Sequence, residues 1–68
     1  MDEREILSLY RRMCRWVERE RRRLKRTGER PTQRYLRRSR LVDDTDPLSL
    51  RELLRELNKL GAEERRTR

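Results

Sequence analysis

Histidine and phenylalanine are absent from this 68-residue chain, and cysteine occurs once, at Cys14. Without histidine there is no histidine-based catalytic triad and no imidazole ligand for a metal. A single cysteine excludes an intrachain disulfide and a multi-cysteine zinc cluster, and its place among apolar helix positions reads as an inert packed thiol. Glycine and proline occur twice each, which leaves no glycine-rich phosphate loop. Nor is there a charged-then-apolar leader or a run of about 20 apolar residues. The expectation is an intracellular protein of the cytoplasm or nucleoid that makes no membrane contact. A chain this short cannot shape a deep pocket, so catalysis, a cofactor, a bound metal and a small-molecule substrate are not expected.

Only 31% of the residues are hydrophobic and 50% are charged, a balance that by itself leans toward disorder. The apolar residues nevertheless fall at helical spacing. Asp2 and Glu5 fit a capping box, and Ile6, Tyr10, Met13 and Val17 then recur on one face, widened by Leu7, Leu9, Cys14 and Trp16. Glu20 and Arg21 interrupt that face before Leu24, and Thr27-Gly28 ends the helix. A second, shorter helix opens at Pro31-Thr32 with Thr32 as N-cap. Its inward face is expected to be Thr32, Tyr35, Leu36 and Ser39, with Arg34, Arg37 and Arg38 opposite. Val42 to Pro47 reads as a turn. Ser49 with Glu52 and Leu48 with Leu53 then announce a third helix through a capping box and a hydrophobic staple. Leu50, Leu53, Leu54, Leu57 and Leu60 form its stripe, and Gly61 is its expected stop. The predicted fold is an all-α, compact three-helix domain over residues 1–62, with helices near 3–26, 32–41 and 49–60 and a frayed polar tail at 63–68.

The net charge is +8, and it is unevenly placed. Residues 1–41 carry 15 basic and 6 acidic side chains, a net +9, whereas residues 42–68 carry 6 and 7, a net −1. Lys25 and Lys59 are the only lysines, so the basicity is arginine, whose planar fork suits phosphate oxygens and base edges. Two constellations follow. Gln33, Arg34, Arg37 and Arg38, with Arg30 at the helix entrance, offer long donors with no acid between Arg30 and Val42 to offset them. Along the first helix Arg11, Arg15, Arg22 and Arg26 share one solvent face, with Arg19 beside them, a row suited to tracking phosphates. Trp16, next to that row, reads as core, its alternative being a platform for an exposed base. Asp43, Asp44 and Asp46 lack the glycine and terminal glutamate of a calcium loop and are assigned no metal.

The stretch TGERPT (Thr27 to Thr32), followed by RYLRRS and DPLSLRELLRELNKLGA, resembles the helix-turn-helix DNA-binding domain of LexA-type repressors. The resemblance covers about half of the chain. It implies a small regulator that binds double-stranded DNA. The basic charge by itself also admits RNA as a partner, and the small footprint of one short helix points to a homodimer or tandem sites. The resemblance also implies that Asp46-Pro47 opens the recognition helix and that Ser49 and Arg51 reach the groove. The β-hairpin wing of that family has no counterpart here, and three aspartates beside the proposed reader would repel phosphate. The run PTQRYLRR resembles the recognition helices of other helix-turn-helix proteins, and charge favours that second helix as the reader. A helical module that docks an acidic protein partner is the rival class.

Overall fold

The structure, a computed structural model, describes residues 2–43 and 50–66. Three helices occupy nearly all of them: α1 (Glu3–Thr27), α2 (Gln33–Asp43) and α3 (Leu50–Arg66), with no strand among the described residues. The chain is a small all-α three-helix domain. The expected capping residues Ser49 and Leu48, and the turn residues Asp44 and Asp46, lie outside the described residues.

Local signals account for the ends of α1 and the start of α2. Asp2 Oδ1 accepts from the Glu5 amide at 2.9 Å, satisfying one of the first-turn donors that a helix leaves unpaired. At the other end Gly28 takes φ +71°, a left-handed conformation that only glycine adopts without strain, and its amide closes on Leu24 O at 2.9 Å. Thr32 caps α2 as its residue type suggests, its Oγ1 accepting from the Tyr35 amide at 3.1 Å. Val42 and Asp43, expected in a turn, remain helical.

The core is formed by Met13, Val17, Leu41, Leu57 and Leu60, with Ile6, Leu9, Tyr10, Trp16, Tyr35, Val42 and Leu53 packed around it. The stripes of α1 and α3 therefore meet as their spacing requires. Leu50 departs from its stripe, remaining 57% exposed at the start of α3.

The larger correction concerns α2. Leu36, assigned inward, is 44% exposed, and Arg38, assigned to solvent, has no exposed surface. The buried face of α2 is instead Tyr35, Arg38, Leu41 and Val42, at relative positions 0, 3, 6 and 7. Relative to the expected orientation the helix is turned by about 100°, one residue's worth. Two aliphatic residues at the C-terminal end of α2 decide this. Burying Leu41 and Val42 removes more apolar area from water than burying Thr32 and Ser39, and it carries Arg38 inward between Tyr35 and Leu41. That burial is tolerable because α3 supplies the charge. Arg38 Nε lies 3.3 Å from Glu56 Oε2, and Nη2 lies 3.1 and 3.2 Å from the two Glu63 oxygens. The guanidinium also stacks over the Trp16 ring, 4.7 Å from its centroid.

The segment after Gly61 is corrected for the same reason. Residues 63–66, read as a frayed tail, continue α3, because Glu63 holds Arg38 and Glu64 Oε2 holds Arg12 Nη1 at 2.7 Å. Gly61 is thus a helix-interior residue, and Gly28 is the one glycine with positive φ. A Cβ at position 61 would meet Leu9 Cδ2 at 3.6 Å, an ordinary van der Waals distance. Gly61→Ala is therefore expected to raise stability by about 0.5–1 kcal/mol in chemical denaturation, from the helix preference of alanine. Destabilisation by a similar amount would restore the reading of Gly61 as a helix terminator.

Candidate nucleic-acid interface

An amphipathic helix that buries Met13 and Val17 must turn its opposite face outward, and on α1 that face is arginine. Arg4, Arg11, Arg15, Arg19, Arg22 and Arg26 are all exposed. Arg4, Arg15 and Arg26 are spaced eleven apart, as are Arg11 and Arg22; eleven residues are almost three whole turns, so the row stays aligned along the helix. From Arg4 to Arg26 it extends about 33 Å at 1.5 Å per residue. Arg4 was not among the residues singled out from sequence, although its eleven-residue offset from Arg15 was there to be read.

The acids are not distributed this way. Glu56 is buried and Glu20, Glu63 and Glu64 are half-buried. Each is held by an arginine, as is Asp43: Glu20 by Arg23, Glu64 by Arg12, Asp43 by Arg21, and Glu56 and Glu63 by Arg38. Arg21 and Glu20, the pair that breaks the apolar face of α1, are accommodated in this way. Arg21 Nε also donates to Tyr35 Oη at 3.1 Å, which raises the Arg21 pKa. The Arg23 hydrogen bond holds the Glu20 carboxyl below the ordinary carboxylate range. Among the described residues no carboxylate comes within ion-pair distance of Arg4, Arg11, Arg15, Arg19, Arg26 or Arg30. Arg22 has only the exposed Glu18 at 4.0 Å, a pair too solvated to hold it strongly.

The expected α2 constellation is not assembled as drawn. Gln33, Arg34 and Arg37 are exposed, as is Arg30 ahead of the helix. Arg37 Nη1, however, sits 3.2 Å from Glu56 Oε1, and Arg34 Nη2 sits 3.5 Å from Glu63 Oε1. Arg38 is withdrawn altogether: with its surface fully covered, its guanidinium cannot reach a phosphate or a base edge. Arg51 is exposed on the first turn of α3, and Ser49 lies outside the described residues. Gln33, Arg37 and Arg40 line a groove of about 590 Å³ between α2 and α3, shared with Arg55, Lys59, Glu52 and Glu56. Arg37 and Lys59 are already engaged there by Glu56, whereas the ridge of α1 meets only Glu18.

Sequence reasoning missed the partners of Arg38. Glu56 lies beside Leu57 and Leu60 on the buried side of α3, and an acid so close to a leucine stripe was the available signal for a buried pair. Burial acts to raise the Glu56 carboxyl. Hydrogen bonds from Arg37 and Arg38, with the charges of Lys59 and Arg38, outweigh it and hold the group below the ordinary carboxylate range.

Among the described residues no helix is long and apolar enough to cross a membrane, and no group of three or more His, Cys, Asp or Glu side chains is placed to hold a metal ion. No protein-family model, curated protein or solved structure matches the chain.

Two expectations follow from the buried network. Arg38→Ala takes from Glu56 its one buried partner and leaves it only the exposed Arg37 and Lys59. Breaking such pairs costs about 3–5 kcal/mol, comparable to the roughly 3–5 kcal/mol that a core of this size supplies. The variant should lose most of its helical circular dichroism at room temperature, while Arg38→Met with Glu56→Leu, which removes both charges, should recover a cooperative thermal transition. Recovery of nothing by the double variant would show that the pair itself is indispensable. The pH dependence has a definite sign. A carboxyl whose folded pKa is depressed contributes stability above its unfolded pKa of about 4.3, and that contribution is lost as pH falls through the lower folded value. Glu56→Gln should be less stable than the parent at neutral pH and lose stability less steeply between about pH 5 and 3 in denaturant titrations.

Proposed function

We propose that the protein binds nucleic acid, holding the phosphate backbone along the outer ridge of α1. One observation carries this reading: six exposed arginines are aligned over about 33 Å with no acid interleaved at ion-pair distance except Glu18. Soluble helices commonly present mixed charges on their outer face, which is how they remain solvated without attracting partners. Here Asp43, Glu56, Glu63 and Glu64 are engaged by arginines of another helix, and the arginines along the outer ridge of α1 keep their charge for an external anion. Double-stranded DNA is the favoured ligand, since the ridge is about as long as one duplex turn of roughly 34 Å and a duplex presents a charge every ~1.7 Å of its axis. A ridge of that length needs no second copy of the chain to gain a footprint.

In this reading Gln33, Arg34 and Arg37 have a secondary part. Arg34 and Arg37 are each shared with a glutamate of α3, so a base would have to compete with Glu63 and Glu56 for them. A helix-turn-helix mode with α2 in the major groove therefore has less to recommend it than backbone contact by α1. A regulator of transcription remains one role such binding would serve.

The test is a set of single variants titrated with a duplex at several salt concentrations. Six phosphate contacts would give a slope of log K against log salt near −5, since each neutralised phosphate contributes about 0.9. Arg11→Ala and Arg26→Ala should each make that slope shallower by about one and weaken different duplex sequences alike. Arg34→Ala and Arg37→Ala should change binding much less. Specificity lost through Arg34 or Arg37, with Arg11 and Arg26 neutral, would return the reader to α2. A chain that binds heparin and neither duplex nor single strand would be the acidic-protein docking module instead.

A further inference from the structure

Trp16 is the one tryptophan of the chain, and the structure gives it two surroundings. Part of the indole is covered by the buried guanidinium of Arg38 and packs against the core. Trp16, half-buried, also lines a cleft of about 290 Å³, together with Leu60 and the arginines Arg12, Arg15 and Arg19. Arg15 and Arg19 also belong to the exposed ridge of α1, so the cleft opens directly beside the proposed backbone track. Glu63 and Glu64 complete its wall, and both are neutralised from within the protein, by Arg38 and Arg12 respectively.

We infer that this cleft takes one unpaired nucleobase, stacked on Trp16, while Arg15 and Arg19 hold the phosphates on either side of it. The inference rests on the nucleic-acid reading above and adds to duplex contact along the ridge a seat for a base free of a duplex partner. Three features favour that occupant. The volume lies at the low end of ligand clefts, sized for a single planar ring system. The lining pairs an aromatic and an aliphatic surface with cations at the rim, the combination by which single-strand binders seat a base and its backbone together. Finally, the indole is held in place before any ligand arrives. Arg38, fixed by Glu56 and Glu63, clamps it from the protein side, so little ordering would accompany binding. A fully paired duplex offers its phosphates to the ridge but keeps its bases stacked inside, out of reach of the cleft.

Because Trp16 is the sole tryptophan, tryptophan emission reports on this one indole. Four dye-labelled ligands are titrated into the unmodified protein, with Trp16 emission and dye anisotropy followed together: a short thymidine oligonucleotide, a uridine oligonucleotide, an abasic strand of equal length and a blunt duplex. The base-bearing strands are expected to quench Trp16. The duplex and the abasic strand should raise anisotropy without quenching, the abasic strand binding about tenfold more weakly than its base-bearing counterpart. Binding of the thymidine and uridine strands with unchanged emission, or equal quenching by the abasic strand or the duplex, overturns the inference and leaves the backbone reading intact. Anisotropy that stays flat for every ligand overturns both. The titration keeps Trp16 in place, because Trp16→Leu would also remove the surface on which Arg38 lies.

Discussion

The guanidinium of Arg38 sits at the meeting point of all three helices, and the rest of the fold is arranged around keeping it there. It extends from α2, lies against an indole of α1, and is held by two carboxylates of α3. An isolated buried cation is among the most unfavourable things a small core can contain, and each partner answers part of that penalty. Glu56 and Glu63 supply opposite charge in a setting where water cannot screen it. Trp16 supplies the negative face of its ring, the remaining compensation for a group whose Nη1 makes no hydrogen bond among the described residues. The network extends outward: Glu56 also receives Arg37 and Lys59, and Glu63 also receives Arg34. The orientation of α2, the helical state of residues 63–66 and the engagement of the α2 arginines are therefore one structural decision rather than three.

The same decision shapes the surface. A chain with half of its residues charged could have placed its acids among its arginines and emerged nearly featureless. Instead Glu56, Glu63 and Glu64 of α3 are turned toward arginines of α1 and α2, and the arginines on the far side of α1 are left without them. Internal pairing thus does two jobs at once. It replaces part of the apolar core that so few hydrophobic residues cannot provide, and it separates charge so that one ridge is left strongly positive. This is a physical route from a sparse core to a binding surface, and it needs no residue devoted to function alone.

Three helices, both caps of α1, the N-cap of α2 and most of the core were legible in the chain itself, for reasons that are local. Asp2, Gly28 and Thr32 act on backbone groups within four residues of themselves, so their meaning does not depend on what packs nearby. The stripe of Met13 and Val17 fixes which side of α1 is buried, and hence which arginines face water, because a helix has only two sides to choose between. Gly61 was misread because a glycine near the end of an apolar stripe commonly stops a helix, and what carries α3 onward is the pairing of Glu63 with Arg38 and of Glu64 with Arg12, on two other helices.

The burial of Arg38, the pairing of Glu56 and Glu63, and the cleft at Trp16 were decided only by tertiary structure. In α2 two apolar faces of similar weight were open, one through Leu36 and one through Leu41 and Val42. Intrinsic preference could not rank them, since the second requires a buried arginine and is unfavourable until a partner is present. That partner is two glutamates on a different helix, 18 and 25 residues further along. Sequence alone determined what is set within a few turns of one helix. Wherever the sign of the free energy depended on a charge brought from another helix, packing chose.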